Sequence, residues 1–185
     1  MSPPHAMRLA CLAALLVLAW PGPGLWADGR HEREEREHQE RHGRSRSGAA
    51  VNPLYQERCG GCHLAYQPWL LPVASWNLLL GRLPEHFGEQ VELSPADRQS
   101  LGAYLAAEAV DQASGEIPRK IRRRLGSGVP ERITESAYWR HKHEDDDLPA
   151  GVFARKSVGS PANCQACHPG AAQGDYDDDR VRIPQ

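Results

Sequence analysis

A mainly α fold is predicted, on three observations. Two helix starts stand clear, Asn52-Pro53 and Ser94-Pro95-Ala96-Asp97. In each, a capping side chain can accept from the first free backbone N–H groups, and the proline that follows has a φ suited to the first helical position. After the second start, Leu101, Tyr104, Leu105 and Glu108 recur at helical spacing. Alternating apolar and polar runs of the strand type are essentially absent.

The first start predicts a short helix over 53–58, stopped by Gly60 and Gly61. Residues 64–93 read as a long connection rich in Pro, Leu and Trp, with a helix over 76–82 ended by Gly81 or Pro84. The second start predicts a helix over 95–110 with Leu101, Tyr104 and Leu105 as core. Arg119, Lys120, Arg122, Arg123 and Arg124 read as a looser basic stretch. Thr134-Glu135-Ser136 is expected to cap a short helix over 138–143. Residues 144–147 are acidic, and a Gly- and Pro-rich loop leads from them to the C-terminal cysteines. No internal repeat exists beyond the paired cysteine motifs.

The 185 residues allow one or two small domains. A net charge of −2 gives no basic excess for nucleic acid. Aromatic residues are 6 %, while glycine and proline number 17 and 15. Side chains alone would build a thin core, so another group is expected to help fill it.

The N-terminus reads as an export signal. Arg8 precedes an apolar run over 9–20, and Pro21-Gly22-Pro23-Gly24 breaks any helix there. Cleavage is expected after Ala27. As a helix the run would reach about 18 Å, short of the roughly 30 Å of a bilayer core. Cys11 has too few apolar residues before it to be a lipid-modified cysteine. Removal of residues 1–27 takes away Met1, Met7, Cys11 and His5. The mature chain keeps four cysteines, eight histidines and no methionine. Residues 28–50 form a charged arm, expected to be disordered because it has too little apolar surface to offset its ordering entropy. Its His31, His38 and His42 read as parts of a solvated linker.

Two motifs decide the chemistry: Cys59-Gly60-Gly61-Cys62-His63 and Cys164-Gln165-Ala166-Cys167-His168. Both match the C-x-x-C-H signature of c-type haem attachment. Two thiols three positions apart reach both vinyl groups of one haem as thioethers, and the adjacent histidine lies under the iron. A four-cysteine zinc site does not explain a histidine after each pair, and the gap between the pairs is far longer than zinc sites use. A thioredoxin-like dithiol would need a βαβ pattern, which is absent. Structural disulfides would suit export but not the histidines. Two covalently bound haem c groups are therefore expected, on Cys59, Cys62, Cys164 and Cys167, with His63 and His168 as proximal ligands.

Each iron then needs a second axial group or stays open. Without a mature methionine the candidates are His86, His141 and His143. Two positions apart on a helix, His141 and His143 point about 200° apart and do not easily serve one iron face. His86 and His143 are expected as the distal ligands, His86 on the first haem and His143 on the second by chain order. The swapped pairing, and His141 in place of His143, stay open. Bis-histidine irons would be six-coordinate and low-spin, with potentials below those of His/Met ligation.

Over residues 52–184 the chain resembles the bacterial diheme cytochrome c family. The resemblance is carried by CGGCHLAYQPWLLPVASW, LPEHFG, RITESAYWRHKHE and ANCQACHPGAAQGDY leading to VRIP. It implies a class I cytochrome c-like N-terminal haem domain, residues 51–115. It implies a C-terminal haem domain, residues 116–185, with little regular secondary structure. It maps the distal ligands to His86 and, because Lys142 precedes and an acidic residue follows, to His143. It also implies a periplasmic electron carrier rather than an enzyme. Partners of the family kind are a membrane b-type cytochrome and a small oxygen-binding c-type haem protein, with membrane contact only through a partner.

Two alternative functions are a haem-based sensor and a small peroxidase-type enzyme with an openable haem. Both need an iron that can open, and peroxidases of this type are usually much longer. Residues 119–124 fit either an acidic partner surface or a solvated or propionate-facing role. The aspartates of 175–179 read as a solvated tail.

Overall fold

The computed structural model describes residues 52–143 and 148–185. The expected export signal and the expected disordered arm, within residues 1–51, and residues 144–147 lie outside the described residues. Five helices and several single 3₁₀ turns make up the described chain, which contains no strand beyond a one-pair bridge between His86 and Glu89. None of these helices is long and apolar enough to cross a membrane.

Helix α1, Pro53–Cys59, begins as its sequence dictates: Asn52 Oδ1 accepts from Tyr55 N at 3.1 Å. Helix α2, Val73–Gly81, starts three residues before the expected position. Its first N–H, on Val73, donates to Asp111 Oδ2 at 2.7 Å, a cap supplied from 38 residues away. Helix α3, Pro95–Glu108, is capped by Ser94 Oγ, which accepts from Asp97 N at 3.0 Å. It stops two residues short of the expected end because Val110 leaves the helix and its N–H donates to Leu71 O at 3.0 Å.

Residues 119–124 are not a loose stretch. They belong to helix α4, Glu116–Leu125, in which Ile117, Ile121 and Leu125 fall four apart on one face. Pro118 sits in the first turn, where no N–H is needed. Helix α5, Ala137–His143, is capped by Ser136 Oγ, which accepts from Trp139 N at 3.1 Å. Beyond it only 3₁₀ turns occur among the described residues: Val152–Ala154, Cys164–Ala166, Ala171–Gln173 and Asp178–Arg180. The expected C-terminal region of little regular structure, 116–185, thus contains two helices, α4 and α5, and only the described residues after α5 lack regular elements beyond 3₁₀ turns.

Two apolar clusters organise the chain. In the first, α3 packs across α1 through Leu101 and Leu105, with Tyr55, Leu71, Trp76 and Ala109. Tyr55 is its hub, 2 % exposed. Its ring meets Trp76 edge-on at 6.5 Å, and its hydroxyl donates to Tyr66 O at 2.7 Å. Burying each leucine contributes about 1.5–3 kcal/mol. The second cluster joins Leu70 and Val110 to Ile121, flanked by Trp69, Ile117, Tyr138 and Tyr176.

The segment just after the first C-x-x-C-H motif ties the two ends of the chain together. Tyr66 OH donates to Ala162 O at 2.7 Å, two residues before Cys164. Gln67 donates to Ala171 O at 2.7 Å and accepts from Tyr176 OH at 2.6 Å. These bonds set the second motif against residues 66–69.

Candidate functional site

The first motif is a tight turn off the end of α1. Gly60 N donates to Gln56 O at 2.9 Å. A Cβ on Gly60 would lie 2.5 Å from that same oxygen, so the turn closes only around glycine. Cys59 and Cys62 are not joined in a disulfide. His63 Nδ1 lies 2.7 Å from Leu64 O. A carbonyl only accepts, so Nδ1 holds the ring proton and Nε2 keeps its lone pair for a metal. Tyr66 stacks on the His63 ring at 5.0 Å.

His86 faces His63 from a four-residue turn. His86 N donates to Glu89 O at 2.8 Å, and Glu89 N donates to His86 O at 3.1 Å. The two central residues, Phe87 and Gly88, have φ of 56° and 100°, the backbone of a tight hairpin turn. For Phe87 this costs about 1–2 kcal/mol. Two contacts from a distant segment hold the turn. The Arg132 guanidinium lies 3.7 Å above the centre of the Phe87 ring. Arg82, four residues before His86, donates to both Glu131 carboxylate oxygens at 2.5 and 2.6 Å. Burial, then His63 and Arg132, hold His86 below its ordinary pKa, which favours the neutral, ligating ring.

The second site is built from α5 and the second motif. The turn Cys164–Ala166 lets His168 N donate to Cys164 O at 2.8 Å. His143 ends α5, and its Nδ1 lies 2.8 Å from Trp139 O, one helical turn back. Again Nδ1 holds the proton and Nε2 is left free. Trp139 stacks on the His143 ring at 4.4 Å and 8°. Tyr176 stands edge-on to His168 at 5.4 Å. His143, His168, Cys164 and Cys167 line one cavity whose walls include Ile117 and Ile121 of α4, Val152 and Phe153. His141 is exposed and does not line it. Burial lowers the pKa of both His143 and His168, and each also feels a neighbouring cation or imidazole.

Burial raises Cys59 and Cys167 and pushes Cys164 up to about 11. A redox dithiol needs the opposite shift. Among the described residues no cluster of three or more His, Cys, Asp or Glu is arranged to hold a bare metal ion.

The imidazole spacing fits a haem iron. Two imidazoles on one metal have ring centres about 6.2 Å apart: about 2 Å for each metal–nitrogen bond and about 1.1 Å from each nitrogen to its ring centre. The His63 and His86 centres are 6.2 Å apart, and those of His143 and His168 are 6.1 Å apart. Each pair has two thiols of a C-x-x-C turn beside it, as covalent attachment requires.

Several residues of these sites were not singled out from sequence. Trp139 precedes His143 by four positions, so helical spacing was a usable signal. Tyr176, Phe153 and the Arg132–Phe87 contact come from remote segments and left no local sign.

Comparison with known proteins identifies a family in which two haems are expected. The family model for dihaem cytochrome c matches residues 55–176. The diheme cytochrome c from Rhodobacter sphaeroides is 35 % identical over 69 % of this chain and 98 % of its own, with a TM-score of 0.61. The diheme cytochrome from Shewanella baltica OS155 is 32 % identical over 72 % of this chain and 93 % of its own, with a TM-score of 0.57. A search of curated proteins gives no significant match. The paired motifs, the paired imidazoles and these likenesses converge: the chain belongs to the dihaem cytochrome c family, electron-transfer proteins with two covalently bound haem c groups.

Proposed function

We propose that this protein is a periplasmic electron carrier in which each haem iron is closed by two histidines. His63 and His86 hold the first iron, and His168 and His143 hold the second. The observation that supports this most is the spacing of the two imidazole pairs, 6.2 and 6.1 Å between ring centres. The same spacing favours His143 over His141 and the unswapped pairing.

A haem bound at each site supplies an iron that gains and loses one electron. The chain's own residues do the rest. Leu64 O and Trp139 O fix the tautomers of His63 and His143, so that Nε2 of each ring faces its site. The walls around His143 and His168 are largely apolar. No methionine follows the export signal, so neither iron has the ligand that raises potential, and both potentials are low. On this reading the export signal is removed after Ala27. The partners are a membrane b-type cytochrome and a small oxygen-binding c-type haem protein.

Absorption spectra test the ligation. Both haems are expected to be low-spin in each oxidation state and indifferent to carbon monoxide. His86→Ala and His143→Ala are each expected to turn one haem high-spin and leave the other unchanged. A high-spin ferrous haem that binds carbon monoxide in the parent protein would favour a sensor or peroxidase and end the carrier reading. Intact mass checks the rest: the chain from Asp28 plus two haems.

A further inference from the structure

The basic residues of 119–124 take part in neither haem site, and their helix gives them a place. Helix α4 is two-sided. Ile117 and Ile121 line the cavity that holds His143 and His168. Arg119 and Arg123, one helical turn apart, are exposed on the other side, whereas Arg124 is half-buried on the flank toward Tyr138 and Lys142.

Structural duties account for only part of this charge. Arg122 is committed, donating to Val110 O at 2.5 Å and Ala113 O at 2.7 Å. Lys120 pairs with Glu116 at 2.6 Å. No ion pair to a described carboxylate holds Arg119, Arg123 or Arg124. The helix dipole favours cations in the last turn but opposes Arg119 in the first. Like charges four apart, as Arg119 and Arg123 are, destabilise a helix. Helix stability thus accounts for the last-turn arginines but not for Arg119. Five of the ten residues of α4 are basic, on a chain whose net charge is −2. Such a concentrated field steers an oppositely charged surface.

We propose that the outer face of α4, with Arg119 and Arg123, is the docking surface for an acidic one-electron carrier protein that exchanges electrons at the second haem site. The proposal rests on the carrier reading above. A partner seated there is separated from the cavity by one helix, about 10 Å. The exchange moves one electron and no proton, and the partner is oxidised as this protein is reduced.

The test uses the protein with both haems and, as probe, flavodoxin, a small acidic flavoprotein. Binding is measured by calorimetry at low and at physiological ionic strength. Arg123→Glu is expected to weaken binding about tenfold at low salt, and Arg119→Glu with Arg123→Glu by more. Lys156→Glu makes the same charge change at an exposed site elsewhere and is expected to cost less than about twofold. Arg123→Lys keeps the charge and is expected to bind as the parent does. Salt removes the differences. Reduction by a neutral free flavin semiquinone stays the same in every variant. The proposal is overturned if Lys156→Glu costs as much as Arg123→Glu, or if flavodoxin binding ignores salt. It is also overturned if the same arginines bind phosphatidylglycerol vesicles while flavodoxin does not bind. Failure of the carrier reading would show separately, as a carbon monoxide-reactive spectrum in the parent.

Discussion

The rings of His63 and His86 lie 27° from parallel, whereas those of His143 and His168 stand at 66°. Ligand planes that run together donate π density along one direction and split the iron d orbitals. Planes nearer to perpendicular leave them closer in energy. The two ferric haems are therefore expected to give different electron paramagnetic resonance signals. One should be rhombic, from the first site, and one more strongly anisotropic, from the second. His86→Ala is expected to remove the rhombic signal alone. If it removes the anisotropic signal instead, the pairing of histidines is swapped.

Trp139 is expected to hold His143 in place twice over. Its carbonyl fixes the ring tautomer, and its indole lies flat on the imidazole at 4.4 Å. Trp139→Leu keeps the first contact and removes the second, worth about 0.5–1.5 kcal/mol. Replacement of His143 by added imidazole should become about tenfold easier at the second haem. The first haem should not respond. Titration with imidazole, followed by the two resonance signals, separates the sites. An equal response at both haems would mean a general loosening of the fold.

What sequence can reveal here follows how local each cause is. The starts of α1 and α3 were legible because Asn52 and Ser94 cap N–H groups three residues on. The start of α2 was not, because its cap is Asp111. Helix α4 was hidden by its arginines and Pro118, although Ile117, Ile121 and Leu125 carried the helical period. The attachment motifs were legible as a fixed local spacing. The facing of His86 and His143 toward particular partners depends on contacts such as Tyr66 with Ala162, which only the folded chain brings together.

Arg132 is expected to steady His86 through its neighbour. Its guanidinium caps the Phe87 ring at 3.7 Å, over a turn whose backbone is strained at Phe87. Phe87 is 43 % exposed, so the contact is worth about 0.5–1 kcal/mol rather than the larger value of a desolvated pair. Arg132→Ala should then ease replacement of His86 by imidazole about threefold to fivefold, a smaller effect than at Trp139. Arg132→Lys should restore part of it. The nearby Arg82–Glu131 pair is also exposed, so Glu131→Gln should change the exchange little. A large effect of Glu131→Gln with none from Arg132→Ala would assign the clamp to the ion pair.

Gly60 and Gly61 look alike in sequence and differ in the fold, which makes them a sharp pair to compare. A Cβ on Gly60 meets the Gln56 carbonyl oxygen at 2.5 Å, and that oxygen accepts the bond that closes α1. A Cβ on Gly61 meets nothing closer than 4.0 Å. Backbone cannot swing aside as a side chain can, so Gly60→Ala must open the turn, at a cost of about 1–3 kcal/mol. The two thiols then no longer stand as attachment requires. Intact mass is expected to show a substantial fraction of Gly60→Ala protein with one haem, the peptide mass locating the loss at Cys59 and Cys62. Gly61→Ala should carry two. Equal haem content in both variants would mean that the turn forms only after attachment.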